Sequence, residues 1–279
     1  MTTLLVGFDS AWTAKNAGAV VGVLRGAGGE LTELGLPVTA DFSEAAIRIG
    51  DWKEEYKPAR TLVMLDQPTI VPNTNGQRPV ENLVGSPVSR RYGGVQPAHR
   101  GRLDMFGDGA PVWPFMKTFG GAHDPRRPLP ESVVLETYPV LAMIALEWVQ
   151  LDKRQTGRLP KYNPGRKKTF SLADWQFVCA STAEALRSRQ LTGCSTWLDD
   201  AGQLSKPGKA AQDKLDALVC LLVALHLAEG SECLMIGDVL SGYMVVPDSD
   251  PLRQELTERC LRTKRVPEEW VHRFRLARE

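Results

Sequence analysis

Three apolar runs in this chain each end on a single carboxylate: Thr3 to Phe8 on Asp9, Thr61 to Leu65 on Asp66, and Ser132 to Leu135 on Glu136. A lone charge at the end of a buried strand is desolvated unfavourably unless it is paired, capped or bound to a cation. Two further acids, Asp213 and Asp216, stand three residues apart where the apolar stretch around Leu215 to Ala224 opens. On a helix both project from one face of its first turns. Carboxylates brought within a few ångströms repel, and proteins tolerate this when a cation lies between them or one holds a proton. Plainer roles stay open for each acid. Asp9 and Asp66 can bond the backbone amides of the turns that follow them, and one Asp near a helix N-terminus is explained by the helix dipole.

These acids need a sheet and a helix to gather them. Residues 3–9, 19–25 and 31–38 read as three strands with Gly-rich joints, an antiparallel meander. A helix opens at Asp41-Phe42-Ser43-Glu44, with Asp41 or Ser43 as its cap, and stops at Pro58. Strands follow at 61–66 and 132–136, then helices over 140–149 and from a Ser171 cap. Asp199-Asp200 with Gly202 reads as a turn, and a last buried helix begins near Ala210. The fold class expected is α/β, a mixed five-stranded sheet flanked by helices. If the first and fourth strands are neighbours, Asp9 and Asp66 emerge side by side. One domain over 1–250 is expected, with a C-terminal helical extension over 251–279 that ends in Arg273, Arg275 and Arg278 and packs on the surface or mediates homo-oligomer formation.

Residues 67–131 are unlike the rest, rich in Pro and Gly and poor in periodic apolar runs. A stretch of this length without obvious structure is usually functional or mobile. Arg78, Arg90, Arg91, Arg100 and Arg102 lie here with His99 and Tyr92, against a single acid, Glu81, between Arg78 and Arg102. Such interleaving suits phosphate contacts and base stacking, or the arginines pair with acids elsewhere. A second basic loop holds Arg158, Lys161, Arg166, Lys167 and Lys168.

Composition removes several classes. Of 279 residues, 43% are hydrophobic and 24% charged, and the formal net charge is +1, so no global field draws in nucleic acid. The longest apolar stretch, Ala217 to Ala228, includes His226 and is well short of the roughly 20 residues that span a bilayer. No signal peptide is evident at the N-terminus. The five cysteines are widely spaced without a CxxC pair, which argues against a disulfide framework and a zinc site and for a reduced, cytoplasmic protein.

Taken in order, Gly7-Phe8-Asp9-Ser10-Ala11-Trp12, Leu65-Asp66-Gln67-Pro68, Glu136-Thr137-Tyr138-Pro139, Asp213-Lys214-Leu215-Asp216-Ala217-Leu218 and Gly242-Tyr243-Met244-Val245-Val246-Pro247 carry a resemblance. The chain is similar to a family of predicted nucleases of unknown function, the DUF429 type, with the ribonuclease H-like fold. The resemblance implies an acidic cluster of Asp9, Asp66 and Asp216, with Asp213 as a fourth member, that binds Mg²⁺ or Mn²⁺ and hydrolyses nucleic-acid phosphodiester bonds by a two-metal mechanism. Carboxylate ligands suit these hard ions, so no His or Cys is needed. Glu136 would be an outer ligand or orient the attacking water. Arg90, Arg91, Arg100, Arg102, Lys161 and Lys167, with Arg166 or Lys168, would hold the substrate backbone. The chain departs from the pattern in its long insertion after Asp66, and in using Asp there where several such nucleases use Glu. Two other readings stand beside this one: an ATP-dependent phosphotransferase of actin-like core, which needs a second strand meander after residue 140, and a non-catalytic binding module that keeps the fold.

Overall fold

The computed structural model describes residues 1–151 and 157–276. The chain opens with β1 (Thr3–Asp9) and β2 (Gly18–Arg25), followed by two short pieces, β3 (Leu31–Glu33) and β4 (Val38–Ala40). Helix α1 (Phe42–Tyr56) starts on Asp41, whose side chain accepts from the Glu44 amide while Glu44 accepts from the Asp41 amide, a reciprocal cap. After β5 (Arg60–Leu65) come α2 (Pro79–Arg90), α3 (Leu103–Phe106) and α4 (Val112–Thr118). Next are β6 (Ser132–Glu136), α5 (Pro139–Ala145), α6 (Leu172–Arg187), α7 (Thr192–Gly202) and α8 (Lys209–Ala228). The chain closes with β7 (Cys233–Asp238), β8 (Gly242–Pro247), α9 (Asp250–Arg262), α10 (Pro267–Trp270) and β9 (Val271–Phe274).

The main sheet is mixed and has six strands, in the order β3-β2-β1-β5-β6 with β4 also on β2. Pairing is antiparallel from β1 to β4 and parallel between β1, β5 and β6. This corrects the expected five strands, because the segment over 31–38 is broken by a turn at Gly35, whose φ of 111° favours glycine. Two other expectations are overturned. Asp199 and Asp200 lie inside α7 rather than in a turn, and the stretch over 67–131 contains three helices. Its aromatic residues pack on the core, with Phe115 5.3 Å from Phe8 and 5.5 Å from Phe42. The C-terminal extension is not all helical: β9 pairs antiparallel with β7 in a second sheet, β8-β7-β9, while α9 packs on α2. Arg278 lies outside the described residues. Among the described residues this second sheet has the first of its strands, β7, at its centre, whereas the first meander has β2 between β1 and β3, so the strand order is not repeated.

Strand alternation divides the core. Leu4, Val6, Phe8, Val63 and Leu65 face α1 and α4. Leu5, Leu62, Met64 and Leu135 face the other way, into a larger core with α5, α6 and α8. Helix α8 is buried on nearly every side and crosses β1, β2 and β5. Gly7 permits the crossing: a Cβ there would lie 2.1 Å from the Ala217 carbonyl oxygen and 2.5 Å from the Leu221 nitrogen. The five cysteines are buried and free, and no helix among the described residues is long and apolar enough to cross a membrane.

Candidate active site

The register decides which acids meet. Phe8 pairs with Leu65 and Leu65 with Glu136, and the Asp66 amide donates to the Phe8 carbonyl at 2.9 Å. Asp9 and Asp66 are therefore level, on adjacent strands about 4.8 Å apart, and on the α8 side of the sheet. Glu136 is one residue out of step, so the pleat turns it toward the opposite face. Thr137 occupies the corresponding third position and donates to the Val245 carbonyl at 2.8 Å. From α8, Asp213 and Asp216 reach the same strand ends, because Gly7 lets the helix lie close on β1.

Asp9, Asp213 and Asp216 are only 6%, 5% and 5% exposed. Asp66 is partly exposed and borders a cleft of about 740 Å³ that all four carboxylates line. Burial, then the charges of Asp216, Asp66 and Asp213, hold the Asp9 carboxyl well above its usual range. Burial, then Asp216 and Glu136, do the same to Asp66, opposed by Lys209 and by a hydrogen bond from Asp9. Both carboxyls are thus held above their usual range by burial and by the other acids, with a hydrogen bond between them. Asp216 is pushed up to about 6 by burial, against the pull of hydrogen bonds from Tyr162 and Gln212. The Tyr162 hydroxyl donates to Asp216 Oδ1 at 2.7 Å and Gln212 Nε2 to Oδ2 at 2.7 Å. Asp213 takes a hydrogen bond from Lys209 one turn before it, an ammonium still 63% exposed.

Among the described residues, no three His, Cys, Asp or Glu side chains are already set around one point at ligand distance. The four carboxylates are turned onto each other and onto Tyr162, Gln212 and Lys209. Their chemistry still fits a hard divalent cation: every donor is a carboxylate oxygen, like charges are concentrated in a solvent-lined cleft, and the ammonium bonded to them, Lys209, is itself largely exposed. Asp9 and Asp66 stand level on adjacent strands, one strand spacing apart.

A family model described as a protein of unknown function, DUF429, matches residues 7–239. The chain belongs to the DUF429 family. No curated protein and no solved structure matches it. The matched segment of this DUF429 protein runs from the glycine beneath α8 to just beyond β7 and contains all four aspartates.

The other expected site residues are dispersed. Glu136 is engaged by Arg78, which donates to its two oxygens at 2.6 and 2.8 Å and to Glu81 at 2.9 Å, and it accepts from the Thr69 amide at 3.0 Å. Arg91 pairs with Glu255 at 2.6 Å, and Arg90 approaches the same carboxylate at 4.0 Å. Arg100 pairs with Asp108 at 2.5 Å and stacks on Trp113, while Arg102 donates to the Pro97 carbonyl. Lys167 is exposed on the loop before α6. Of these six cations, Lys161 lines a smaller pocket that adjoins the cleft at Asp66 and Asp216, and its ammonium donates to the Tyr92 carbonyl.

Sequence reading assigned no role to Trp12, Tyr162, Gln212 or Lys209. Trp12 takes a φ of 63°, uncommon for a bulky residue, and its indole donates to the Asp66 carbonyl at 2.8 Å. It fixes the backbone that carries Asp66. Gln212 and Lys209 were within reach of sequence reasoning, since each stands one helical turn before the acid it touches. Tyr162 gave no such signal, because its contact spans 54 residues.

Proposed function

We propose that this DUF429 protein is a divalent-metal-dependent phosphodiesterase acting on nucleic acid, on a frame that resembles the ribonuclease H-like fold. One observation carries the reading: Asp9, Asp66, Asp213 and Asp216, drawn from two strands and a helix far apart in sequence, line one cleft, and the charge opposing Asp9, Asp66 and Asp216 there comes chiefly from Lys209. A structural cluster of buried acids would be neutralised by guanidinium groups, as Glu136 and Glu81 are. The strand order, an antiparallel edge continued by parallel strands with the site at the carboxyl ends of β1 and β5, supports the fold assignment.

Bound among these carboxylates, Mg²⁺ or Mn²⁺ supplies Lewis-acid stabilisation of the charge that develops on a phosphodiester during in-line displacement. Asp9 and Asp66 would hold the ion from the sheet and Asp216 from the helix. Tyr162 and Gln212 fix both Asp216 oxygens in place, and Trp12 fixes the Asp66 backbone. Arg166 and Lys161 stand beside the cleft for the substrate's phosphates.

The test combines calorimetric Mn²⁺ titration with cleavage of labelled single-stranded and duplex DNA and RNA. Wild type should bind Mn²⁺ and cleave only with metal present, and Asp9→Asn should lose both properties while staying folded. Cleavage that survives EDTA, or that survives Asp9→Asn, would overturn the assignment.

A further inference from the structure

Beside the acidic cleft lies a second, smaller pocket of about 210 Å³, and the two share Asp66 and Asp216 at their junction. Its volume is about seven waters' worth, below the range that encloses a drug-sized ligand and enough for one planar ring. The walls are aromatic, from Tyr92 and Tyr138, and Arg166 stands at the edge.

Two features have no structural account, and an exposed ring stands beside them. Gln212 is 6% exposed, and its Oε1 is buried without a hydrogen-bond partner while its Nε2 is used on Asp216. Buried acceptors are rarely left so, and this one borders both pockets. Arg166 makes no ion pair among the described residues although acids lie nearby. Tyr92 is 50% exposed just past the end of α2, where its φ of 60° is the left-handed turn that closes the helix: its amide donates to the Ser89 carbonyl at 3.0 Å and the Gly93 amide to the Val88 carbonyl at 2.9 Å. Past the helix end, Lys161 donates to the Tyr92 carbonyl, and the Tyr138 hydroxyl donates to the Gly94 carbonyl at 2.8 Å. Two side chains thus clamp the segment that presents an exposed ring at the pocket's mouth.

We propose that this pocket is a nucleobase subsite: it takes the unpaired base of the nucleotide beside the scissile phosphate, with the base stacked on Tyr92. Arg166 pairs with that nucleotide's phosphate, and Gln212 Oε1 accepts from its sugar hydroxyl, the donor nearest the carboxylates. Stacking tolerates any base, so the pocket selects for an unpaired nucleotide rather than for sequence. A base held in a duplex cannot enter. The subsite rests on the phosphodiesterase reading for its place beside a reacting phosphate, while its binding is measured without turnover.

The test compares uridine 5′-monophosphate with ribose 5-phosphate by calorimetry, once in Mn²⁺ and once in EDTA. The base should add at least tenfold to affinity in one of the two buffers. Tyr92→Gly should remove that increment, leave ribose 5-phosphate binding unchanged and keep the melting temperature at or above that of wild type, because glycine accepts the left-handed backbone. Tyr92→Phe should retain the increment, and Arg166→Gln should weaken both ligands. Equal binding of the two ligands in both buffers, or a base increment that persists in Tyr92→Gly, would overturn the subsite. Cleavage assayed in parallel separates the two ideas: cleavage without a Tyr92-dependent increment removes the subsite alone, and the increment without metal-dependent cleavage removes the phosphodiesterase alone.

Discussion

Two groups of buried charge lie at the same end of the main sheet, one residue apart in register and turned to opposite faces. In the first, Arg78 is fully buried between Glu81 and Glu136, bonded to both, and its last hydrogen bond goes to the Ile70 carbonyl. In the second, four aspartates face one another with one half-free lysine. Both groups lost water on folding, but only the first regained a buried counter-charge from within the protein; Asp216 is held by the neutral donors Tyr162 and Gln212. Burial raises Glu136 too, yet Arg78 opposes that shift with charge and hydrogen bonds, whereas Asp9 has mainly other acids around it. A self-satisfied cluster holds the fold together. The unsatisfied one is the arrangement that the proposed cation would complete.

The largest break in that comparison comes from Arg78→Ala. Removing the cation leaves two buried glutamates without a counter-charge, and loss of one partner of a buried pair destabilises by about 3–5 kcal/mol. Urea denaturation should show that loss. Asp9→Asn, the matching change in the other cluster, should leave stability unchanged or raised at pH 8, since it removes repulsion. If both substitutions destabilise alike, the distinction between the clusters fails.

Somewhat smaller is the effect of pH. The Asp216 carboxyl titrates near 6 in the folded protein against an ordinary 3.8, so between those values the folded chain keeps a proton that the unfolded chain has released. Stability in EDTA should therefore fall as pH rises from about 4 to about 7, by about 3 kcal/mol from this group. Asp9 and Asp66, raised in the same direction, add to the decline. Mn²⁺ should reverse it, with a larger gain in melting temperature at pH 8 than at pH 5. Stability that is flat across this range in EDTA would mean that the acids are solvated and unstrained.

How much of this was legible in the sequence differs between the clusters in the same way. An apolar run that ends in Asp signals a strand-end carboxylate, and the spacing of Asp213 and Asp216 signals one helical face, so the aspartates could be found from local pattern. Their convergence depended on β1 and β5 being neighbours, which strand order alone suggested. At Glu136 the same grammar left the face open, because register by one residue decides the face and nothing local fixes it. Arg78 was legible only as one of several arginines in a Pro-rich stretch. That it pairs with a glutamate 58 residues away is a property of packing, as is the dispersal of Arg90, Arg91, Arg100 and Arg102 onto acids and carbonyls elsewhere.

The finest test concerns Lys209, the single point where the aspartate cluster resembles the arginine one. Its side chain is 63% exposed while that of Asp213 is 7% exposed, so the pair is wetted on one side. Solvent screening keeps such pairs within about 1 kcal/mol, and Lys209→Gln should change the urea midpoint little. Burial works against the ammonium, yet Asp213, Asp9 and Asp216 together hold its pKa above the usual value, which means that it competes with any other cation for the same charge. Lys209→Gln should therefore tighten Mn²⁺ binding several-fold at low ionic strength, with a smaller gain in high salt. If affinity stays constant while Asp9→Asn abolishes binding, Asp213 and its lysine belong with the self-satisfied pairs, and the working cluster narrows to Asp9, Asp66 and Asp216.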